Sequence, residues 1–186
     1  MRSFSLFALA ALLTVAGCAG VAPTAPSGAP AVSIVNSLTF DHAMTGKRDG
    51  VRTAWPMDKL AGSTEYFPLS QIKQCEPGGT CRWGVLDAKR RFGALRAVPG
   101  GVAAEIDVTV HVDRTQHADR NDLHAAMTIP ADVGALQSRR QDKREVVLPF
   151  GKVVPIDFEH GIRYELCAQR INAARQGIDQ CPIAYL

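Results

Sequence analysis

A marked excess of charge of either sign is missing from this chain: 21 Lys and Arg stand against 18 Asp and Glu. Nucleic-acid-binding domains concentrate basic residues on one face, so this balance argues against a polyanion as the main partner. Aromatic residues are also scarce, at 6%, and a β core that needs large side chains has first claim on them. The sequence contains no Gly-x-Ser-x-Gly elbow, no His-Glu-x-x-His helix, no phosphate-cradling glycine loop and no dinucleotide fingerprint. The chemistries those motifs carry therefore have no local support, and no catalytic residue and no cofactor are assigned. Cys-x-x-Cys is absent as well, which removes the commonest structural zinc spacing. No fixed-period repeat is present, which excludes solenoids and propellers.

What is present begins at the amino terminus. Arg2 precedes an apolar stretch from Phe4 to Val15, broken only by Ser5 and Thr14, and small residues follow at Ala16 and Gly17. That order of charge, apolar stretch and small residues is the grammar of a secretory signal. A permanent membrane-spanning helix needs about 20 apolar residues, more than this stretch supplies.

The run Val15-Ala16-Gly17-Cys18 resembles the lipobox of bacterial lipoprotein precursors. The resemblance implies removal of residues 1–17 and a diacylglyceryl group, with chains such as palmitate, on the sulfur of Cys18. Each buried methylene adds about 0.8 kcal/mol, so two or three chains make a lasting anchor. Ala19 stands where lipoproteins kept in the inner membrane often carry aspartate, so the resemblance implies an outer-membrane anchor facing the periplasm. Residues 18–30, with Pro23, Pro26 and Pro30 among small residues, read as a tether. In polyproline form a dozen residues reach at most about 37 Å. Residues 31–186 form the expected folded domain.

Five cysteines are an awkward number in an oxidising compartment, but lipidation of Cys18 leaves four. Four cysteines permit three pairings. Cys75 with Cys81 and Cys167 with Cys181 are the expected pairs, because each brackets a turn.

The domain reads in period two. Val32, Ile34, Leu38 and Phe40 share a face interrupted by Asn36, and Val102 to Val112 alternates throughout. Such alternation marks strands with one buried face. Leu123 to Ile129 and Ile162 to Ala168 repeat it. Further expectations are a helical turn near residues 57–61 and a meander turning at Lys89-Arg90-Arg91. A hairpin is expected at Gly151-Lys152, a short helix or loop over 131–141, and a last edge strand over 178–186. The expected fold is all-β, an antiparallel sandwich, Ig-like or a partly closed barrel.

Four groups of residues stand out as candidates. His111 and His124, expected on consecutive strands with His117 in the loop between them, lie close to Asp113, Asp119 and Asp122, but their spacing matches no zinc pattern and no metal is assigned. Arg139, Arg140, Lys143 and Arg144 form a basic run of a kind that meets anionic headgroups or solvent. Glu76 and Thr80 sit in the loop that a Cys75–Cys81 bridge would rigidify, with Trp83 beside it as an aromatic anchor. Trp55, Tyr66 and Phe67 are the remaining aromatic candidates. The sequence favours a non-catalytic, lipid-anchored module that acts through a protein partner in the envelope, for example as an accessory to an assembly or secretion complex. The alternatives are a binder of a soluble hydrolase or of a small envelope ligand, and a hydrolase with dispersed catalytic residues. Nothing in the sequence indicates an oligomeric state.

Overall fold

The computed structural model describes residues 31–120, 123–174 and 176–184. Cys18, the signal and the tether lie outside the described residues. In chain order the elements are β1 (Ala31–Asp41), β2 (Arg48–Pro56), α1 (Met57–Leu60), β3 (Thr64–Tyr66), β4 (Ser70–Cys75) and β5 (Cys81–Val98). There follow β6 (Gly101–Asp113), β7 (Thr115–Arg120), β8 (Leu123–Thr128), β9 (Gly134–Ala135), β10 (Ser138–Pro149), β11 (Val154–Asp157) and β12 (Arg163–Ile171). One antiparallel sheet runs β11-β12-β1-β2 and the other β10-β6-β5-β3, with β4 and β9 also paired to β5. β7 and β8 form a separate two-stranded ribbon.

The two long sheets face each other across one core. Ile34, Leu38 and Phe40 of β1 meet Leu86, Ala88 and Phe92 of β5, with Val102, Ile106, Val108, Val110 and Val112 of β6 and Tyr164 and Leu166 of β12. These are the even-numbered residues of each strand, as a two-residue repeat requires. The fold is the all-β sandwich that the alternation predicts. Asn36 is the interruption also seen in the sequence: it is fully buried on the core face, and its Nδ2 donates to Thr53 Oγ1 at 2.9 Å.

β1 is buried on both faces, because the carboxy-terminal segment crosses the outside of its sheet. Cys181 and Ile183 pack there against Val35 and Cys167, held by the Cys167–Cys181 disulfide. Arg170 donates from Nε and Nη2 to the two carboxylate oxygens of Asp179, at 2.5 and 2.9 Å. Residues 178–184 form no ladder strand, so the expected edge strand over 178–186 is corrected to a strap there, and residues 185–186 lie outside the described residues. Pro182 removes a ladder donor, and Cys167, one residue from β12's core-facing positions, points the bridge away from the core.

The Arg170 hydrogen bonds hold the Asp179 carboxyl below its ordinary range against an opposing burial effect, and they raise Arg170. Because Asp179's pKa is depressed on folding, its contribution is complete above the unfolded value of about 3.9 and is lost as pH falls through the lower folded value. Acidification below about pH 4 is therefore expected to loosen the strap before the sheets. Amide-exchange protection at Ile178, whose N–H donates to the Arg170 carbonyl at 2.8 Å, should drop in that window while protection in β6 holds. Asp179→Asn should abolish the pH step; a step unchanged by this substitution would exclude the pair as its origin.

Four other expectations are corrected. Lys89-Arg90-Arg91 is no turn but the middle of the continuous strand β5, which bends only at a bulge between Phe92 and Leu95. Gly151-Lys152 joins no hairpin. β10 and β11 belong to different sheets, and Gly151, at φ +69°, turns the chain from one to the other while its N–H bonds the Ala168 carbonyl. His117 lies within β7 rather than in a loop. Residues 131–141, expected as a short helix or a loop, contain a turn, β9 and the start of β10. The helical turn at Met57–Leu60 is present and buries Leu60.

Candidate functional site

Alternation along β5 places Leu86, Ala88, Arg90 and Phe92 on the core face, so one residue of the basic triplet enters the sandwich while Lys89 and Arg91 stay in solvent. Arg90 is only 1% exposed. Its register partner across the strand pair is Glu65 of β3, and Arg90 Nη2 donates to Glu65 Oε2. The guanidinium carbon also lies 4.7 Å from the centre of the Phe92 ring, a favourable cation–π distance.

This satisfies only part of a group with five donors. Arg90 Nε and Nη1 have no hydrogen-bond partner among the described residues, and the same holds for the buried hydroxyls of Ser63 and Tyr164. Burial holds the Tyr164 hydroxyl well above the ordinary phenol range; Arg90 pulls it down and Glu65 adds to the rise. It therefore remains a neutral O–H group at any pH the folded protein meets. The ring packs edge-on against Phe67, with centroids 6.3 Å apart.

Above the guanidinium lies an open groove of about 780 Å³ where the edge of β2 faces β3. Trp55, Lys59, Leu60, Phe67 and Pro68 line it together with Ser63, Glu65 and Arg90. Trp55 pairs with Ile34 across β1–β2, which turns its indole to the core side of a strand with nothing beyond it, and it is 48% exposed. Tyr66 also touches the groove, but its register opposite Lys89 points its side chain to the other face of the sheet. A fixed cation, a carboxylate and the Ser63 and Thr64 hydroxyls line the groove beside aromatic and apolar residues, an arrangement suited to recognition.

Of the sequence-derived candidates, Trp55, Tyr66 and Phe67 line the groove, and the others fall elsewhere. Both expected disulfides are formed. Cys75 and Cys81 are register partners that close the β4–β5 hairpin. In its exposed loop Glu76 accepts from Arg82 Nη2 at 2.5 Å, and the Lys73 ammonium sits 5.3 Å from the Trp83 ring. Glu76 and Trp83 are thus engaged with local basic neighbours.

The basic run occupies β10 and is divided by the strand's alternation. Arg139 and Lys143 lie opposite His111 and Asp107 of β6, on the outer face, while Arg140 and Arg144 lie opposite Val110 and Ile106 on the inner one. Arg140 lies 5.4 Å from the Phe158 ring, and Arg144 Nε lies 3.1 Å from Asp142. Inward-pointing charges on an edge strand block edge-to-edge pairing with another sheet.

His111 and His117 line one polar depression on the outer face with Asp87, Lys89 and Arg139. His111 Nε2 lies 4.0 Å from Asp113, whose carboxyl is held below its ordinary range by the Gln137 side chain and the Arg114 backbone N–H. His117 and His124 line a neighbouring hollow on the β7–β8 ribbon. Asp122 lies outside the described residues. Among the described residues no group of three or more His, Cys, Asp or Glu is placed to hold a metal ion.

Arg90, Glu65, Ser63 and Tyr164 had escaped the sequence reading. The available signal was the alternation Leu86, Ala88, Arg90, Phe92, which passes through the basic triplet without changing phase. No family model, no curated protein and no solved structure matches this chain.

Proposed function

We propose that this chain is a lipoprotein anchored at the outer membrane and facing the periplasm, and that its folded domain is a non-catalytic binding module which receives its ligand in the groove above Arg90. The observation that carries the reading is the buried guanidinium with two unmatched nitrogens beneath a half-exposed tryptophan. A buried cation is costly unless its hydrogen bonds are met, and an arriving ligand meets them. The lipobox supplies the location. Anchoring raises the local concentration of a module near its target, so a weak binder becomes effective at the membrane surface.

A photo-crosslinking residue placed at position 55 in intact cells tests both halves. The control carries it at position 147, where Val147 is 56% exposed on β10. With Cys18 intact, position 55 should give an adduct whose mass identifies the occupant, and position 147 should not. An alkyne fatty acid should label the chain only when Cys18 is present, and Cys18→Ser should abolish both label and adduct. Equal adducts at the two positions, or adducts indifferent to Cys18→Ser, would refute the reading.

A further inference from the structure

The Arg90 guanidinium already holds one anion, supplied by the chain itself. Glu65 is a weakly retained partner. It comes from the three-residue edge strand β3, its side chain keeps 26% of its exposure against 2% for Arg90, and it reaches the guanidinium through a single oxygen. A carboxylate that engages an arginine fully forms two parallel hydrogen bonds. Here Nε and Nη1 remain unmatched, so a second carboxylate approaching from the groove has donors to gain, and Glu65 has solvent to retreat into.

The rest of the lining defines that ligand. Its ionised side chains are Lys59, Glu65 and Arg90, an excess of one positive charge. The nearest counter-charge to Lys59 is Asp58, at 3.9 Å with both side chains more than 70% exposed, a pairing too wet to cancel it. One added negative charge is matched and a second finds no cation. Trp55, Leu60, Phe67 and Pro68 offer the ligand's body an apolar and aromatic surface, while Ser63 holds a hydroxyl without a partner among the described residues. We infer that the groove binds a small organic monoanion, a carboxylate on an aromatic or acyl body, and that Glu65 is a built-in surrogate which the ligand's carboxylate displaces from Arg90. The inference rests on the binding-module reading and adds the ligand's chemistry to it.

The test uses the purified full chain in mild detergent with two probes of the same body, 4-phenylbutyrate and the neutral 4-phenylbutan-1-ol. Replacing Trp83 by phenylalanine leaves Trp55 as the sole tryptophan, so fluorescence reports the groove and Tm reports linkage. The acid should quench or shift Trp55 emission and raise Tm, and the alcohol should do so at least about tenfold more weakly. Glu65→Gln, which keeps the size of the side chain and removes its charge, should bind the acid about tenfold more tightly than the parent, because the internal competitor has been weakened. The paired variant Arg90→Met/Glu65→Leu, whose cooperative melt certifies its fold, should bind acid and alcohol alike.

Equal binding of acid and alcohol by the parent would overturn the inference. So would unchanged or weakened acid binding in Glu65→Gln, or a surviving acid preference in the paired variant. The two readings fail separately. An adduct at position 55 in cells without any acid preference sinks the monoanion and leaves the binding module standing. Acid preference without an adduct supports the monoanion and removes the envelope role.

Discussion

Replacing Cys167 and Cys181 together by alanine is expected to lower unfolding stability by about 3 kcal/mol, the value that chain entropy gives for a closed loop of about 15 residues. The reason for expecting little compensation lies on the outer face of the β11-β12-β1-β2 sheet. Val35 and Cys167 are fully buried there, Ile183 is 4% exposed, and what covers them is the strap that the bridge retains. Without the bridge the strap is held by the Arg170–Asp179 pair and by Arg52 Nε donating to the Ile183 carbonyl at 3.2 Å, contacts near the surface that contribute modestly.

Alanine at position 167 replaces a sulfur directed at the strap rather than into the sandwich, so the main core should not be disturbed. The matching change at Cys75 and Cys81 opens a loop of sequence separation 6 in an exposed hairpin that covers nothing. It should cost about 2 kcal/mol and leave the outer face of the other sheet protected. Urea denaturation measures both, and amide exchange at Val35 distinguishes them: it should accelerate in the first variant only. Equal losses in the two variants, with Val35 still protected in both, would show that the strap holds without its bridge.

The sandwich was legible because two-residue alternation survives wherever one face of a strand is buried, as from Val102 to Val112. The bridges were legible because each pair of cysteines spans a single turn. Three features were hidden for separate physical reasons. Lys89-Arg90-Arg91 reads as a turn because three successive cations are rarely placed in a core strand, yet a strand buries every second residue regardless of its neighbours, and Glu65, 25 positions earlier in the chain, makes the middle cation tolerable. Gly151 reads as the tip of a hairpin because a local turn signal does not say whether the chain returns to the same sheet or crosses to the facing one. The strap reads as a strand because its apolar residues pack against an outer sheet face that nothing earlier in the sequence identifies as apolar. The groove inherits the first difficulty: its floor joins β3 and β5, and its mouth adds β2 and α1, so no local window contains it.

Arg90 provides the sharpest energetic contrast in the molecule. Glu65→Ala leaves a guanidinium that is 98% enclosed by the core without its anionic hydrogen-bond partner among the described residues. Breaking a sealed pair costs about 3–5 kcal/mol. Because Glu65 is itself partly wet, with 26% side-chain exposure, water enters as it leaves, and about 2–3 kcal/mol is the expected loss. Arg90→Met alone removes the charge and the Phe92 contact together and leaves Glu65 free to hydrate, so it should cost less than Glu65→Ala. Arg90→Met/Glu65→Leu fills a similar volume with apolar groups and is expected within about 1 kcal/mol of the parent, or above it. The double-variant cycle, read by urea denaturation at neutral pH, should therefore show strongly non-additive losses. Additive losses would mean that Arg90 and Glu65 do not depend on each other, and the guanidinium would then have to be satisfied from elsewhere. A stabilised double variant would show that the pair is kept at a cost to folding, as buried ion pairs often are, and it is the loss of acid preference in the same variant that marks the pair as a binding site.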